Sequence, residues 1–305
     1  MKTPFIRDLI SYRTMLLMLV PSLLFVALFQ YVPMFGLVLA FKHYSYGKGI
    51  LGSDWSGLEN FKFFFISGDA WRVTRNTVLY NVFFIFINLV LQVGIAILLS
   101  EVRSKWFKKV SQSVMFLPYF ISWVVVGSIA YNLLNFEHGT INTIFRTFGM
   151  EPVNFYSTTG IWPFLLVFFS TWKAVGYGVV FYLAAIMSID QEMYEAAETD
   201  GANVFQKIWH ITIPCLKPTM IILTLLSVGH IFRGDFGLFF NMIGNNGLLF
   251  GNTDVIDTYV YRSLVQNNEI GMSAAIGLFQ SILCFITILL VNGVVRKADK
   301  DSALF

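Results

Sequence analysis

The chain has 305 residues, of which 56% are hydrophobic and only 13% charged, and its formal net charge is +3. A soluble domain carries about 25% charged residues, so this composition belongs to a protein built for lipid. The small, dispersed charge offers no nucleic-acid face, and Cys215 and Cys284, in neither metal nor redox spacing, exclude a disulfide framework.

Crossing the hydrocarbon layer takes about 20 mainly apolar residues, and each crossing segment must be helical because lipid leaves free backbone groups unsatisfied. Six runs qualify: 14–41, 77–100, 110–134, 161–189, 219–240 and 271–295. The predicted fold class is all-α, a polytopic membrane protein with six transmembrane helices and both termini on one side. It reads as one domain over 1–305, with its core at 76–295. The first run continues past the usual length of a signal-peptide core without a small-residue cleavage site, so it is expected to stay as an uncleaved span. With the N-terminus inside, the inner segments hold 12 Lys and Arg and the outer segments 8, with Lys173 left inside a span. The short loop carrying Arg103, Lys105, Lys108 and Lys109 weighs most, and the bias places both termini in the cytoplasm.

The first outer loop, 42–75, is rich in Gly and aromatics, among them Tyr44, Tyr46, Trp55, Phe61 and Phe63 to Phe65. It is read either as a surface for an external partner or as an interfacial aromatic belt. In the third run Tyr119, Trp123 and Tyr131 are weaker candidates for a solute pathway. The second outer loop, 135–160, is polar enough to be exposed. In the fourth run Lys173 lies among Trp172, Tyr177 and Tyr182, and an intramembrane ionisable group marks a candidate site. These residues read as a pathway-lining face where rings and a donor meet hydroxyl-rich ligands, or as a lysine snorkelling among filler rings.

The polar insert 188–218 is patterned as structure. Ser188 to Gln191 has the Ser-x-x-Gln form of a capping box, predicting a helix start there. Glu192, Glu195 and Glu198 then share one edge, and Gly201 ends the helix as the residue best able to adopt a left-handed cap. A second short helix has Val204, Phe205, Ile208 and Trp209 on one face and Gln206, Lys207 and His210 on the other, and Pro214 and Pro218 are expected to stop it. Glu198 and Asp200 lie near a helix C-terminus, where negative charge is slightly unfavourable, which fits an electropositive partner surface facing them. In the fifth run His230, Arg233 and Asp235 are the polar candidates, with Arg233 roughly 20 Å beyond Pro218 along a helix. Arg233 could contact substrate, hold a gate or pair with an acid, and Gly229, Gly234 and Gly237 predict a broken or closely packed helix there.

Glu195-Ala196-Ala197, Gly201 and then Ile211-Thr212-Ile213-Pro214 resemble the Glu-Ala-Ala loop of binding-protein-dependent ABC importer permeases. That pattern is Glu-Ala-Ala, three residues, Gly, nine residues, then Ile-x-Leu-Pro, and only the Leu differs, being Ile213. Asp200-Gly201-Ala202 and Gln206 are further similar to the branch that imports oligosaccharides. The resemblance implies the ABC importer permease fold in a bacterial cytoplasmic membrane. Glu195, Ala196, Ala197, Asp200, Gly201, Ile211 and Pro214 would form a coupling helix set in a cleft of an ATPase. It implies a second, similar permease, two ATPase subunits holding ATP and Mg, an extracytoplasmic solute-binding protein and a carbohydrate cargo. The candidate pathway residues are then Trp172, Lys173, Tyr177, Tyr182, His230, Arg233, Asp235 and Tyr119.

No Gly-x-x-x-x-Gly-Lys-Ser/Thr occurs, so the chain has no phosphate cradle of that type and no cofactor of its own is expected. His43, His138, His210 and His230 lack metal-ligand spacing, and no Gly-x-Ser-x-Gly turn is present. An ion-coupled carrier would need intramembrane carboxylates, for which the spans offer Asp235 and little else. An intramembrane enzyme would need a nucleophile and base, or a metal set, and neither is found.

Overall fold

The computed structural model describes residues 11–298. They group into two compact units, one reaching to Ser67 and taking in Tyr261–Phe279, the other comprising Gly68–Val260 and the residues from Gln280.

In the first unit, helix α1 (Arg13–Phe41) is apolar throughout. It passes from α-helix into a π turn at Ala27–Tyr31 and a tight 3-10 stretch at Val32–Phe41, where Pro33 lies in the first turn and so withdraws an N–H that is not needed. No side chain of Arg13–Tyr31 is buried. The chain then forms a two-residue antiparallel ladder, β1 (Lys42–His43) on β2 (Asp54–Trp55), and helix α2 (Glu59–Ile66). Loop 42–75, to which the sequence reading assigns no secondary structure, thus carries a short ladder and a helix. Lys48 donates to Asp54 at 2.6 Å across the connection and holds its carboxyl below the usual range. Buried Asn60 donates to the carbonyls of Ala40 (2.9 Å) and Lys42 (3.1 Å), serving backbone groups stranded where α1 ends.

The second unit is helical. It contains α3 (Asp69–Glu101), α4 (Lys105–Phe120), α5 (Trp123–Leu134), α6 (Thr140–Thr147), α7 (Thr159–Met187), α8 (Gln191–Thr199), α9 (Val204–Gly229) and α10 (Phe236–Ile243). The last described helices are α11 (Ile256–Val265) and α12 (Ile270–Ala298). Five described helices are long and apolar enough to cross a membrane, and the bent pair α4–α5 would make a sixth.

Two predicted spans differ in shape. The run 110–134 is bent by 95° between α4 and α5. Pro118 sits in a 3-10 turn, and the Ser122 side chain accepts from Val125 N–H to start a new helix. The run 219–240 is not one helix. α9 begins at Val204, runs through both prolines and ends at Gly229, and α10 starts afresh behind an Asp235 N-cap. Neither Pro214 nor Pro218 stops the second loop helix: a π turn at Ile208–Thr212 precedes Pro214, and Pro218 lies inside the α-helical stretch that follows. The Ile213 N–H reaches back to the Ile208 carbonyl, so Pro214 falls in the first turn of the following α-helical stretch, where a missing donor costs little. The break expected from Gly229, Gly234 and Gly237 is present.

The longest packing seam joins α3 to α7. One buried cluster centres on Trp162, Leu166, Val126 and Phe239, a second on Ala96, Val179, Leu183 and Leu216. Gly176 sets the spacing between α7 and α4, since a Cβ there would collide with the Met115 carbonyl and stand 2.8 Å from the Phe116 nitrogen. Gly176→Ala should therefore destabilise the protein by about 1–3 kcal/mol through overpacking against rigid backbone. A lowered thermal-denaturation midpoint of the detergent-purified protein checks this, and an unchanged midpoint would show that α4 moves aside freely.

Candidate functional site

Two concave places in the second unit hold residues predicted from the sequence. The first is the elbow between α8 and α9. Asp190, not Ser188, opens α8: its Oδ1 accepts from Glu192 N–H at 3.0 Å, while the Ser188 hydroxyl donates to Ala185 O at 2.7 Å at the end of α7. The capping box lies one helix further on, at the start of α9. Asn203 Oδ1 accepts from Gln206 N–H (2.9 Å), and Gln206 Oε1 accepts from Asn203 N–H (2.7 Å). Between them Gly201 has φ +81°, its N–H bonding Glu198 O at 3.0 Å and the Ala202 N–H bonding Ala197 O at 2.9 Å. That is a Schellman ending, which requires the left-handed residue that glycine supplies most cheaply. The Glu198–Lys207 ion pair closes the elbow at 2.6 Å.

The pair revises the expectation for Glu198, whose electropositive neighbour is Lys207 of the same chain. The hydrogen bond from Lys207 holds its carboxyl below the usual range. The contact therefore persists above ordinary carboxylate pH values and is lost as pH falls through that lowered pKa. Glu195 and Ala196 are exposed, and Ala197, Asp200, Gly201, Gln206, His210 and Ile211 surround a notch of about 280 Å³. Phe205 and Trp209 project beside it, 74% and 66% exposed. Pro214 lies away from the notch, at the start of the straight part of α9.

The second place is a groove of about 490 Å³ bounded by α3, α7 and α9. Its polar lining is Asn81, Asn88, Gln92, Tyr177, Tyr182, Thr224, Ser227 and His230. Gln92 Nε2 donates to Asn88 Oδ1 at 3.2 Å, and Gly178 opposite leaves room for that amide. Asn81 Nδ2 donates to the carbonyls of Ile231 (3.0 Å) and Arg233 (2.9 Å), holding the chain where α9 has ended. Asp257 Oδ2 holds the same break by accepting from Gly234 N–H at 2.6 Å and from Gln280 Nε2 at 2.9 Å. Gln280 also donates to Phe232 O at 2.8 Å.

Of the predicted pathway residues, Tyr177, Tyr182 and His230 line the groove. Tyr119 stacks on Tyr177 with ring centroids 4.4 Å apart and planes 6° from parallel. Trp172 packs against the buried cluster around Trp162. Lys173 donates to three backbone carbonyls, those of Pro118 (3.3 Å), Tyr119 (2.6 Å) and Ile121 (2.7 Å). Arg233 is exposed in the break, and Asp235 caps α10 while accepting from Trp123 Nε1 at 2.9 Å. The amides of α3 were missed, although Asn81, Asn88 and Gln92, spaced seven and four residues apart in an apolar run, carry the signal of one polar helix stripe.

Residues 92–300 match the family described as "Binding-protein-dependent transport system inner membrane component". Protein LplB of Bacillus subtilis (strain 168) is 35% identical over 94% of this chain and 89% of its own. The polygalacturonan/rhamnogalacturonan transport system permease protein YteP of the same organism is 33% identical over 96% and 91%. The arabinooligosaccharides transport system permease protein AraP of Halalkalibacterium halodurans is 32% identical over 74% and 72%. Among solved structures, a chain of a bacterial ABC transporter involved in import of the acidic polysaccharide alginate superposes with TM-score 0.88 at 29% identity, covering 97% of this chain and 100% of that one. A chain of the bacterial alginate ABC transporter in complex with an alginate pentasaccharide-bound periplasmic protein gives 0.86 at 29% identity, covering 96% and 98%.

The cap at Gly201 should be replaceable only at a cost. Gly201→Ala places a Cβ at φ +81°, an expected local penalty of about 1–2 kcal/mol. Hydrogen exchange should accelerate at the amides of Gly201 and Ala202, while exchange within α3 stays as it is. Unchanged protection at those two amides would mean that Gly201 does not hold the turn.

Proposed function

The chain belongs to the binding-protein-dependent transport system inner membrane components, the permease subunits of ABC importers, and we propose that its cargo is an oligosaccharide carried across the cytoplasmic membrane of a bacterium. As a permease subunit it performs no covalent chemistry itself. One observation carries the reading: α7, which runs into α8, and α9, which leaves the elbow, are also two of the three walls of the amide-lined groove. A push on the elbow therefore reaches the groove through helical backbone.

In this reading the bent α4–α5 pair counts as one of six spans, and both termini and the elbow lie in the cytoplasm. A second permease of the same kind completes the pathway. Two ATPase subunits bind ATP and Mg, and one receives the exposed Glu195-Ala196 edge and the notch beside Gly201. Closure of those subunits favours one orientation of the groove over the other, which is the differential binding that any population shift requires. An extracytoplasmic binding protein delivers the cargo, in keeping with the alginate transporter solved together with its periplasmic protein. The carbohydrate class is supported by the names of AraP and YteP and by the lining of amides, hydroxyls and tyrosines, which suits neutral hydroxyl groups. An ion-coupled carrier would need a carboxylate at liberty to bind and release an ion. Asp235 and Asp257 each accept two N–H bonds that hold the break in place.

ATP hydrolysis by the assembled complex should rise when loaded binding protein is added. Glu195→Lys should abolish that rise with the complex still assembled on size exclusion, because the changed charge meets the ATPase surface directly. Gln92→Leu should instead leave coupling in place and weaken sugar binding about 3–10-fold, the loss of a hydrogen bond or two. Solute uptake by this chain alone, without ATPase subunits, would overturn the reading.

A further inference from the structure

Lys173 is placed where a substrate ligand would be sought, yet its ammonium has three N–H donors and three backbone carbonyls take them, at 2.6, 2.7 and 3.3 Å. Those carbonyls belong to Pro118, Tyr119 and Ile121, the stretch where α4 ends and the 95° bend strands acceptors that a continuous helix would have satisfied. The same ammonium stands 5.4 Å from the ring centroids of both Tyr119 and Trp123. A single charge thus pins Tyr119 by its carbonyl and by its ring. That ring lies flat on Tyr177, a wall residue of the groove, and the two tyrosines remain 41% and 40% exposed. Trp123, on the other side of the charge, is tied through Nε1 to Asp235 beyond the break that follows α9.

We infer that Lys173 is a positioning residue: it fixes the bend so that Tyr119 and Tyr177 form a rigid aromatic shelf at the groove, on which a pyranose or furanose ring of the cargo lies by its C–H face. The inference rests on the groove being the carbohydrate site. Its physical content is preorganisation. A ring already stacked and clamped loses little rotational freedom when a sugar settles on it, so the shelf contributes to affinity more than to turnover. Lys173 acts through Tyr119 and does not touch the sugar.

The test uses the complete complex with its ATPase, partner permease and binding protein, titrated with arabino-, xylo- and galacturono-oligosaccharides while stimulated ATP hydrolysis is followed. Three variants are compared: Lys173→Met, Lys173→Arg and Tyr119→Leu. Tyr119→Leu leaves the lysine-to-carbonyl bonds intact and removes only the ring, so it decides the matter even if Lys173→Met does not assemble. Lys173→Met and Tyr119→Leu should each raise the half-saturating oligosaccharide concentration about tenfold, with a smaller fall in maximal rate. Lys173→Arg, which can still donate to several carbonyls, should recover most of the affinity. If Tyr119→Leu binds as the wild type does, the shelf is overturned. If both variants lose maximal rate at unchanged half-saturation, Lys173 is only a staple of the bend and the inference fails. If the wild-type complex responds to no oligosaccharide in the panel, the carbohydrate reading fails first, and the inference falls with it.

Discussion

A helix in an apolar medium can be interrupted only where something else takes up its backbone hydrogen bonds, and this constraint shapes the second unit. At the bend between α4 and α5 the task falls to Lys173, which serves three carbonyls. At the break after α9 it falls to Asn81, Gln280 and Asp257, which between them hold the carbonyls of Ile231, Phe232 and Arg233 and the N–H of Gly234. Asp235 then opens α10 by capping Leu238 N–H. The polar side chains that hydropathy marks as anomalies are largely committed to the backbone. The groove walls carry a further polar set: the α3 amides, two tyrosines, Thr224, Ser227 and His230.

The elbow and the groove share their helices, and this explains why a polar insert of thirty-odd residues can matter to a cavity elsewhere in the span. α7 ends at Met187 directly before α8, and α9 starts at Val204 directly after the Schellman turn. The cap at Gly201, the Asn203–Gln206 box and the Glu198–Lys207 pair make the connection stiff. A stiff elbow would move α8 and α9 as one body, whereas a loose loop would absorb the displacement. The individual pieces are small, since an exposed ion pair contributes little by itself. Stiffness comes from having consecutive backbone groups satisfied on both sides of one left-handed residue.

Much of this was legible in the sequence because it rests on residue types with few uses. Gly201 was expected in a left-handed cap and has φ +81°. The three closely spaced glycines left open a break or close packing in the fifth run, and the break is what forms, so 219–240 is not the single span expected. The cap before α8 was misassigned because Ser188 and Asp190 both offer an N-cap oxygen, and the choice depends on where α7 ends, which is set by packing. Pro214 misled for a related reason: a missing N–H stops a helix only if its register cannot change, and the π turn at Ile208–Thr212 changes it. Lys173 was located as an intramembrane charge, but its partners are carbonyls of a bend more than fifty residues earlier, which no local pattern discloses. The two-strand ladder at Lys42–Trp55 was hidden by the brevity of its strands.

The π turn also sets a phase. It places one more residue in a turn than an α-helix would, and each residue advances the helix by about 100°. Thr224, Ser227 and His230 are therefore aimed by the winding of a turn upstream of them, as much as by their own identities. The same residues rewound as plain α-helix would carry one further advance of about 100° and swivel that polar edge about a quarter-turn away from Asn88 and Gln92, whereas the π turn absorbs the extra residue. In this helix the direction of the groove-facing edge is set partly by how one distant turn is wound.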